Sequence, residues 1–166
     1  MFWRVRNAGA EWKKCVGDPN KRAFRRLLEA GRVRGCIAFA GREPVGWVST
    51  GPKLEFAYFE RSRSIPASKD ARDWCVSCFY VPAAWRGKGV ATALLAAAVE
   101  LARTSGARLI EGYPLLPKNS GERAPAAFAW TGVRALYEGC RFERAPNPVA
   151  AKVIYRRLLK DKDPSP

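Results

Sequence analysis

The chain has 166 residues, 48% hydrophobic and 27% charged, which is enough apolar mass for one buried core, and no apolar run reaches the roughly 20 residues that cross a bilayer. Thirty Lys and Arg against fifteen Asp and Glu leave a net charge of +15, and His is absent, which excludes Ser-His-Asp, Cys-His and His-metal chemistry. The cations are dispersed, with no basic run of five, so the charge reads as a solvated basic surface; it attracts nucleic acid non-specifically, an acidic partner or a phosphorylated small ligand.

In chain order, the stretch MFWRVRNAGAEWKK lacks the apolar region and cleavage site of a signal peptide, so a cytoplasmic protein is expected. After Asp18-Pro19-Asn20, the segment KRAFRRLLEAGR places Phe24, Leu27 and Leu28 at helical spacing before Gly31. Two short strands, 35–41 and 44–51, are joined at Arg42-Glu43 as a hairpin. Residues 52–72 are polar and mixed, with a short helix expected near 54–61. The strand DWCVSCFYV (73–81) is apolar on both faces, as a central strand is.

From Val90 onward an Ala-rich helix carries Val90, Leu94, Ala97, Ala98 and Leu101 on one stripe and ends at Gly106. Strand 108–114 follows, so 73–114 reads as a strand–turn–helix–strand unit, which makes a right-handed parallel crossover. A loop at 115–124 leads to a helical segment with Pro125 near its start. Gly132 breaks it, leaving 133–140 as a second short helix. Strands 142–148 and 150–159 close the fold, and 160–166 is expected to fray. The result is one α/β domain over 1–166: a mixed, mostly antiparallel central sheet flanked by helices.

Five cysteines, an odd number, argue against a disulfide framework. Cys75 and Cys78 form a C-x-x-C, but in a strand that spacing sets the thiols on opposite faces. No second pair completes a tetrahedral site, so no metal is expected.

Where the central strand meets the long helix, the first helical amides have no intrahelical partner and, with the helix dipole, form an anion site. Arg86-Gly87-Lys88-Gly89-Val90-Ala91 fits such a site. The glycines let the backbone approach a diphosphate, Ala91 keeps the first turn slim, Arg86 and Lys88 add charge, and Thr92 offers a hydroxyl. The spacings of a P-loop and of the dinucleotide fingerprint are both absent.

The run Cys78-Phe79-Tyr80-Val81-Pro82, the Arg86–Ala91 turn and the helix ending at Gly106-Ala107 resemble the GNAT superfamily of N-acetyltransferases. Its signature (Gln/Arg)-x-x-G-x-(G/A) lies between a central strand and a long helix. Leu136-Tyr137 followed by Phe142 is similar to its L-Y-x-x-x-G-F ending, with Arg141 in place of the glycine and Trp130 in place of an asparagine that contacts coenzyme.

The resemblance implies a sheet splayed at the cofactor site, acetyl-coenzyme A as cosubstrate and a primary amine as acceptor. The pyrophosphate would lie on the amides of Arg86, Gly87, Lys88, Gly89, Val90, Ala91 and Thr92, and the pantetheine beside Phe79, Tyr80 and Val81. It further implies Tyr137 as the acid that protonates the leaving thiolate, against the competing reading of a packing residue. Among carboxylates Glu111 is the candidate general base by its order in the chain, against a cross-strand ion pair or a water chain doing that work. Glu55 and Glu60 are candidates to meet a cationic acceptor, or are solvated charges. Trp47, Phe56, Trp74, Tyr113 and Trp130 line an aromatic pocket or belong to the core. A basic nucleic-acid-binding module and a degenerate fold that senses coenzyme A are the alternatives, and a monomer or homodimer is expected.

Overall fold

The central strand β3 (Asp73–Tyr80) has both faces covered, as its unbroken apolar run requires. Around it the computed structural model, which describes residues 2–4, 13–115, 129–147 and 152–159, builds a six-stranded sheet. The other strands are β1 (Arg34–Ala40), β2 (Glu43–Pro52), β4 (Leu109–Gly112), β5 (Glu143–Ala145) and β6 (Ile154–Leu158). Their order is β1-β2-β3-β4-β6-β5. Only β3 and β4 run parallel, joined through helix α2 (Val90–Thr104); all other pairs are antiparallel. Helix α1 (Asp18–Glu29) precedes the sheet, with Pro19 in its first turn, where the ring removes no intrahelical hydrogen bond. Helix α3 (Arg134–Gly139) precedes β5.

Helix α2 lies on one face of the sheet. Its buried Leu94, Leu95, Ala98, Val99 and Ala102 meet Val48, Trp74, Val76, Phe79, Ile110 and Tyr155. Each of the two leucines contributes about 1.5–3 kcal/mol by leaving water. The opposite face carries a smaller aromatic core of Trp3, Phe56, Phe59, Ile65, Cys75, Tyr113 and Ile154. Among the described residues no helix is long and apolar enough to cross a membrane.

Three local expectations change. The helix expected near 54–61 is a single 3₁₀ turn, Lys53–Glu55, because Lys53 turns inward to an ion pair instead of continuing a helical face. The strand expected over 142–148 is only Glu143–Ala145. The β2–β3 register shifts by one residue between Ser49 and Thr50, so Val76 and Phe79, three apart, both face the α2 core. That bulge breaks the alternation assumed for Cys75 and Cys78, which therefore do not sit on opposite faces by simple period. The helical segment expected around Pro125 and the tail 160–166 lie outside the described residues.

Candidate active site

The β3–β4 ladder pairs only Asp73–Cys75 with Leu109–Glu111 and then ends. Beyond it the two strands part, and the gap is filled by the 3₁₀ turn Ala129–Thr131 and by α3. Leu115 bonds the Gly132 carbonyl through its amide (3.0 Å) and bridges to Val133, which pins that segment beside β4. Between this wall and the start of α2 lies a groove of about 730 Å³. The expected sheet splay is therefore present, at the place the glycine turn faces.

Nine of the ten residues expected to hold coenzyme line this groove: Phe79, Tyr80 and Val81 from the end of β3, and Arg86, Gly87, Gly89, Val90, Ala91 and Thr92 from the turn and first helical residues. Lys88 does not line it; its ammonium lies over the Trp85 ring, 5.0 Å from the centroid. Gly87 and Gly89 have φ of +73° and +79°, which L side chains rarely adopt, and a Cβ added at either would meet nothing within 4 Å. The two glycines thus shape the turn and leave its backbone bare toward the open side. Gly89 caps α2 without a side-chain hydrogen bond, so nothing on the cap residue competes for the first-turn amides. Arg86 Nε donates to the Val81 carbonyl (3.0 Å), tying the turn to the end of β3. The residues present fit a pyrophosphate: bare amides, a helix N-terminus and two nearby cations. Sequence reasoning missed Trp85, Ala129, Val133 and Leu136 in the lining, and it took Trp130 both as a departure from the family pattern and as an aromatic-pocket candidate.

Tyr137 stands behind the groove wall. Its ring is fully buried, and its hydroxyl donates to the Thr131 carbonyl (2.8 Å). Phe142 packs edge-on at 5.2 Å and Phe79 at 6.5 Å between centroids. Its neighbours Leu136 and Trp130 reach the groove; its own side chain is not in the lining. Burial pushes its pKa far above the ordinary tyrosine value.

Glu111 departs further from the role expected of it. It is 2% exposed, and both carboxylate oxygens are taken. Lys53 Nζ (2.7 Å) and Tyr113 Oη (3.1 Å) donate to Oε2, while Arg156 Nε (3.0 Å) and Nη2 (2.6 Å) donate to Oε1. This is the cross-strand ion pair weighed as the alternative, extended to four groups, and it lies in the aromatic core rather than in the groove. Burial, reinforced by Cys75 and Glu111, raises the Tyr113 pKa well above its usual value. Of the aromatic candidates, Trp130 alone lines the groove, and Phe56, Trp74 and Tyr113 are core. Trp47 packs 6.3 Å from Phe24 of α1, beside a separate apolar recess of about 330 Å³. Glu55 pairs with Arg34 rather than facing open solvent.

Cys78 is half-buried beside the groove strand, and burial raises its thiol pKa, which leaves little thiolate at neutral pH. Among the described residues no group of three or more His, Cys, Asp or Glu is placed to hold a metal ion.

A family model for the acetyltransferase (GNAT) family matches residues 3–115. Among solved structures, the chain is similar to an acetyltransferase of the same family from Desulfovibrio desulfuricans at 20% identity and a TM-score of 0.55, covering 89% of this chain and 88% of that one. It is similar to ribosomal-protein-alanine N-acetyltransferase from Brucella melitensis at 21% identity and 0.53, covering 93% and 86%. It is also similar to the PaiA N-acetyltransferase of Thermoplasma acidophilum, solved with coenzyme A, at 14% identity and 0.54, covering 89% and 76%. No curated protein sequence matches the chain.

Proposed function

Because the chain belongs to the GNAT acetyltransferase family, we propose that it transfers the acetyl group of acetyl-coenzyme A to a primary amine by direct attack in a ternary complex. The observation that carries this reading is the groove itself. It opens where the β3–β4 ladder ends, and it is floored by the bare Gly87–Gly89 turn at the N-terminus of α2.

Acetyl-coenzyme A supplies an acyl group activated as a thioester. In this reading the amides of Gly87 through Thr92 and the Arg86 guanidinium hold its pyrophosphate, and the end of β3 from Phe79 to Val81, paired with β2 but not with β4, aligns the pantetheine and polarises the acyl carbonyl. The acceptor nitrogen must be neutral to attack. Glu111 cannot take its proton without giving up Lys53, Arg156 or Tyr113, so a water chain to solvent is the base we propose. Tyr137 is proposed as the proton donor to the leaving sulfur, its hydroxyl turning from the Thr131 carbonyl toward the groove. Like any tyrosine it is protonated throughout the neutral range, and burial, by raising its pKa, makes it a weaker acid than a free phenol. The net charge of +15 disfavours polycationic acceptors by repulsion.

The test has two stages. At 100-fold excess over its Kd, acetyl-coenzyme A should stabilise the protein by about 2.7 kcal/mol, read as a rise in Tm of roughly 5–10 °C. Release of free thiol across a panel of amines then reads turnover. No stabilisation overturns the acyltransferase reading, and stabilisation without thiol release from any amine turns it into a coenzyme sensor. Salt-sensitive binding to nucleic acid with no response to acetyl-coenzyme A supports the basic-module alternative. Tyr137→Phe should lower kcat by about 10²-fold or more if the phenol is the acid; full turnover in that variant would leave Tyr137 a packing role alone.

A further inference from the structure

A second concavity, sharing no residue with the groove, lies where the end of α1 meets the start of β1. It has a volume of about 190 Å³ and is lined by Arg4, Leu27, Gly31, Arg32, Arg34 and Glu55. Three guanidiniums therefore share one carboxylate, an excess of two positive charges around a small recess. Glu55 commits Oε1 to Arg34 through a close ion pair, while its Oε2 is buried without a hydrogen-bond partner, 3.9 Å from Arg4 Nη1 and too far for a hydrogen bond.

Arg4 is the telling member. Its side chain is only 4% exposed, and its guanidinium carbon lies 4.1 Å over the Phe56 ring. Nη1 donates to the Arg32 carbonyl (2.9 Å), but Nη2 is buried with no hydrogen-bond partner. An arginine cannot shed its charge to escape this position. Burial, with Arg34 and Arg32 adding repulsion, lowers its pKa against the pull of Glu55. Arg4 thus keeps an unused N–H, and three guanidiniums outnumber the single carboxylate that faces them.

From this cluster we infer that the Arg4–Arg32–Arg34 recess is a binding site for an anionic group, a carboxylate or a phosphate, of a ligand other than the coenzyme. The planar forks of three arginines suit oxyanions with two or three oxygens. The recess volume exceeds many times the roughly 10–15 Å³ that one water requires, so it accommodates such a group with its waters. The anion has two sources, either an acidic substituent on the amine acceptor or a separate small anion.

Calorimetric titration of the full chain with inorganic phosphate, in the presence of saturating coenzyme A to fill the groove, tests the site without depending on acetyl transfer. Phosphate is expected to bind in the millimolar range or tighter, with Arg32→Gln and Arg34→Gln each weakening it about tenfold. Glu55→Gln, which removes the competing carboxylate, should tighten it severalfold, an effect that a purely structural arginine cluster would not produce. Phosphate affinity that is the same in all four proteins, or no binding at millimolar phosphate, overturns the inference. Where turnover is measurable, amines with and without a carboxylate or phosphate separate the sources. A KM that rises more for the acidic amines in Arg32→Gln assigns the anion to the acceptor. An equal response of both series, with phosphate binding still weakened, assigns the recess to a separate anion.

Discussion

Replacing Gly112 by alanine probes how the groove wall is built. A Cβ at Gly112 would fall inside van der Waals contact of Tyr137 Cε1 and Cζ and 2.6 Å from its hydroxyl oxygen, so the ring or β4 has to move. The ring has nowhere to go. A Cβ position on Gly132, on the ring's other edge, is only 2.9 Å from Cε2, and Phe142 and Tyr155 pack at 5.2 and 6.2 Å between centroids. Overpacking a tight core costs about 1–3 kcal/mol. Displacing the ring also loses the Tyr137–Thr131 hydrogen bond, worth about 0.5–1.5 kcal/mol. Gly112→Ala is therefore expected to lose about 2–4 kcal/mol, a Tm drop of roughly 5–15 °C for a chain of this size. Urea unfolding with linear extrapolation measures it directly. In a Tyr137→Leu background, where the ring edge is gone, the same substitution should cost less than about 1 kcal/mol, a coupling expected of touching residues. A Gly112→Ala protein within about 0.5 kcal/mol of the parent, or an undiminished cost beside Leu at 137, would falsify the clamp.

Arg141 has φ of +61°, the one non-glycine residue in the left-handed region among those described, and it stands where the family pattern has glycine. Arg141→Gly should raise stability by about 0.5–1 kcal/mol in urea, and a loss would show that the arginine side chain outweighs the strain. Glu111→Gln strands the buried Lys53 charge and is expected to lose about 3–5 kcal/mol; a loss below about 1 kcal/mol would mean that Lys53 re-solvates. Cys75, Cys78, Tyr113 and Tyr137 all have pKa values raised by burial, so the unfolded chain gives up these protons first. Their contribution is complete below the unfolded values, about 8.5 for thiols and 10 for phenols, and is lost as pH rises beyond them. The urea midpoint should therefore fall from about pH 8.5 and more steeply past pH 10, less so in Tyr137→Phe; a midpoint constant to pH 11 would contradict the burial of these groups.

The elements that sequence periodicity located are those whose stabilisation is local or face-wide. Helix α2 is legible because one stripe of Leu and Ala repeats at helical spacing, and β3 because a buried strand has no polar side to show. The glycine turn is legible because its shape lies in what it lacks: no Cβ at 87 or 89, and no cap side chain. What escaped the sequence depends on partners far along the chain. Glu111 looked available as a base because Lys53 and Arg156, 58 and 45 residues away, cannot be seen from a four-residue strand. Lys53, in turn, broke the helix expected after β2 because its ammonium is needed in the core. Tyr137 was legible as a residue and not as a geometry, since its place is fixed by Gly112 and Gly132, and only the first of these was in a recognised strand.

The same distinction bears on the charge. A composition of +15 reads as a diffuse property of the surface, and for exposed cations such as Arg22 or Arg25 that is all it is. At Arg4 it is not diffuse. That side chain is 4% exposed, packed on Phe56, and joined by two more arginines around one carboxylate, one oxygen of which already pairs with Arg34. Solvent screens scattered surface cations from one another over about 8–10 Å in physiological salt, but it screens a buried guanidinium such as that of Arg4 less. Arg32 and Arg34 are exposed, so of the three only Arg4 keeps its field in salt that silences the rest of the surface. This separates the two sources of anion affinity on one molecule. Affinity drawn from the scattered charge fades as ionic strength rises, whereas phosphate held in the recess should keep the part of its affinity that the buried Arg4 supplies.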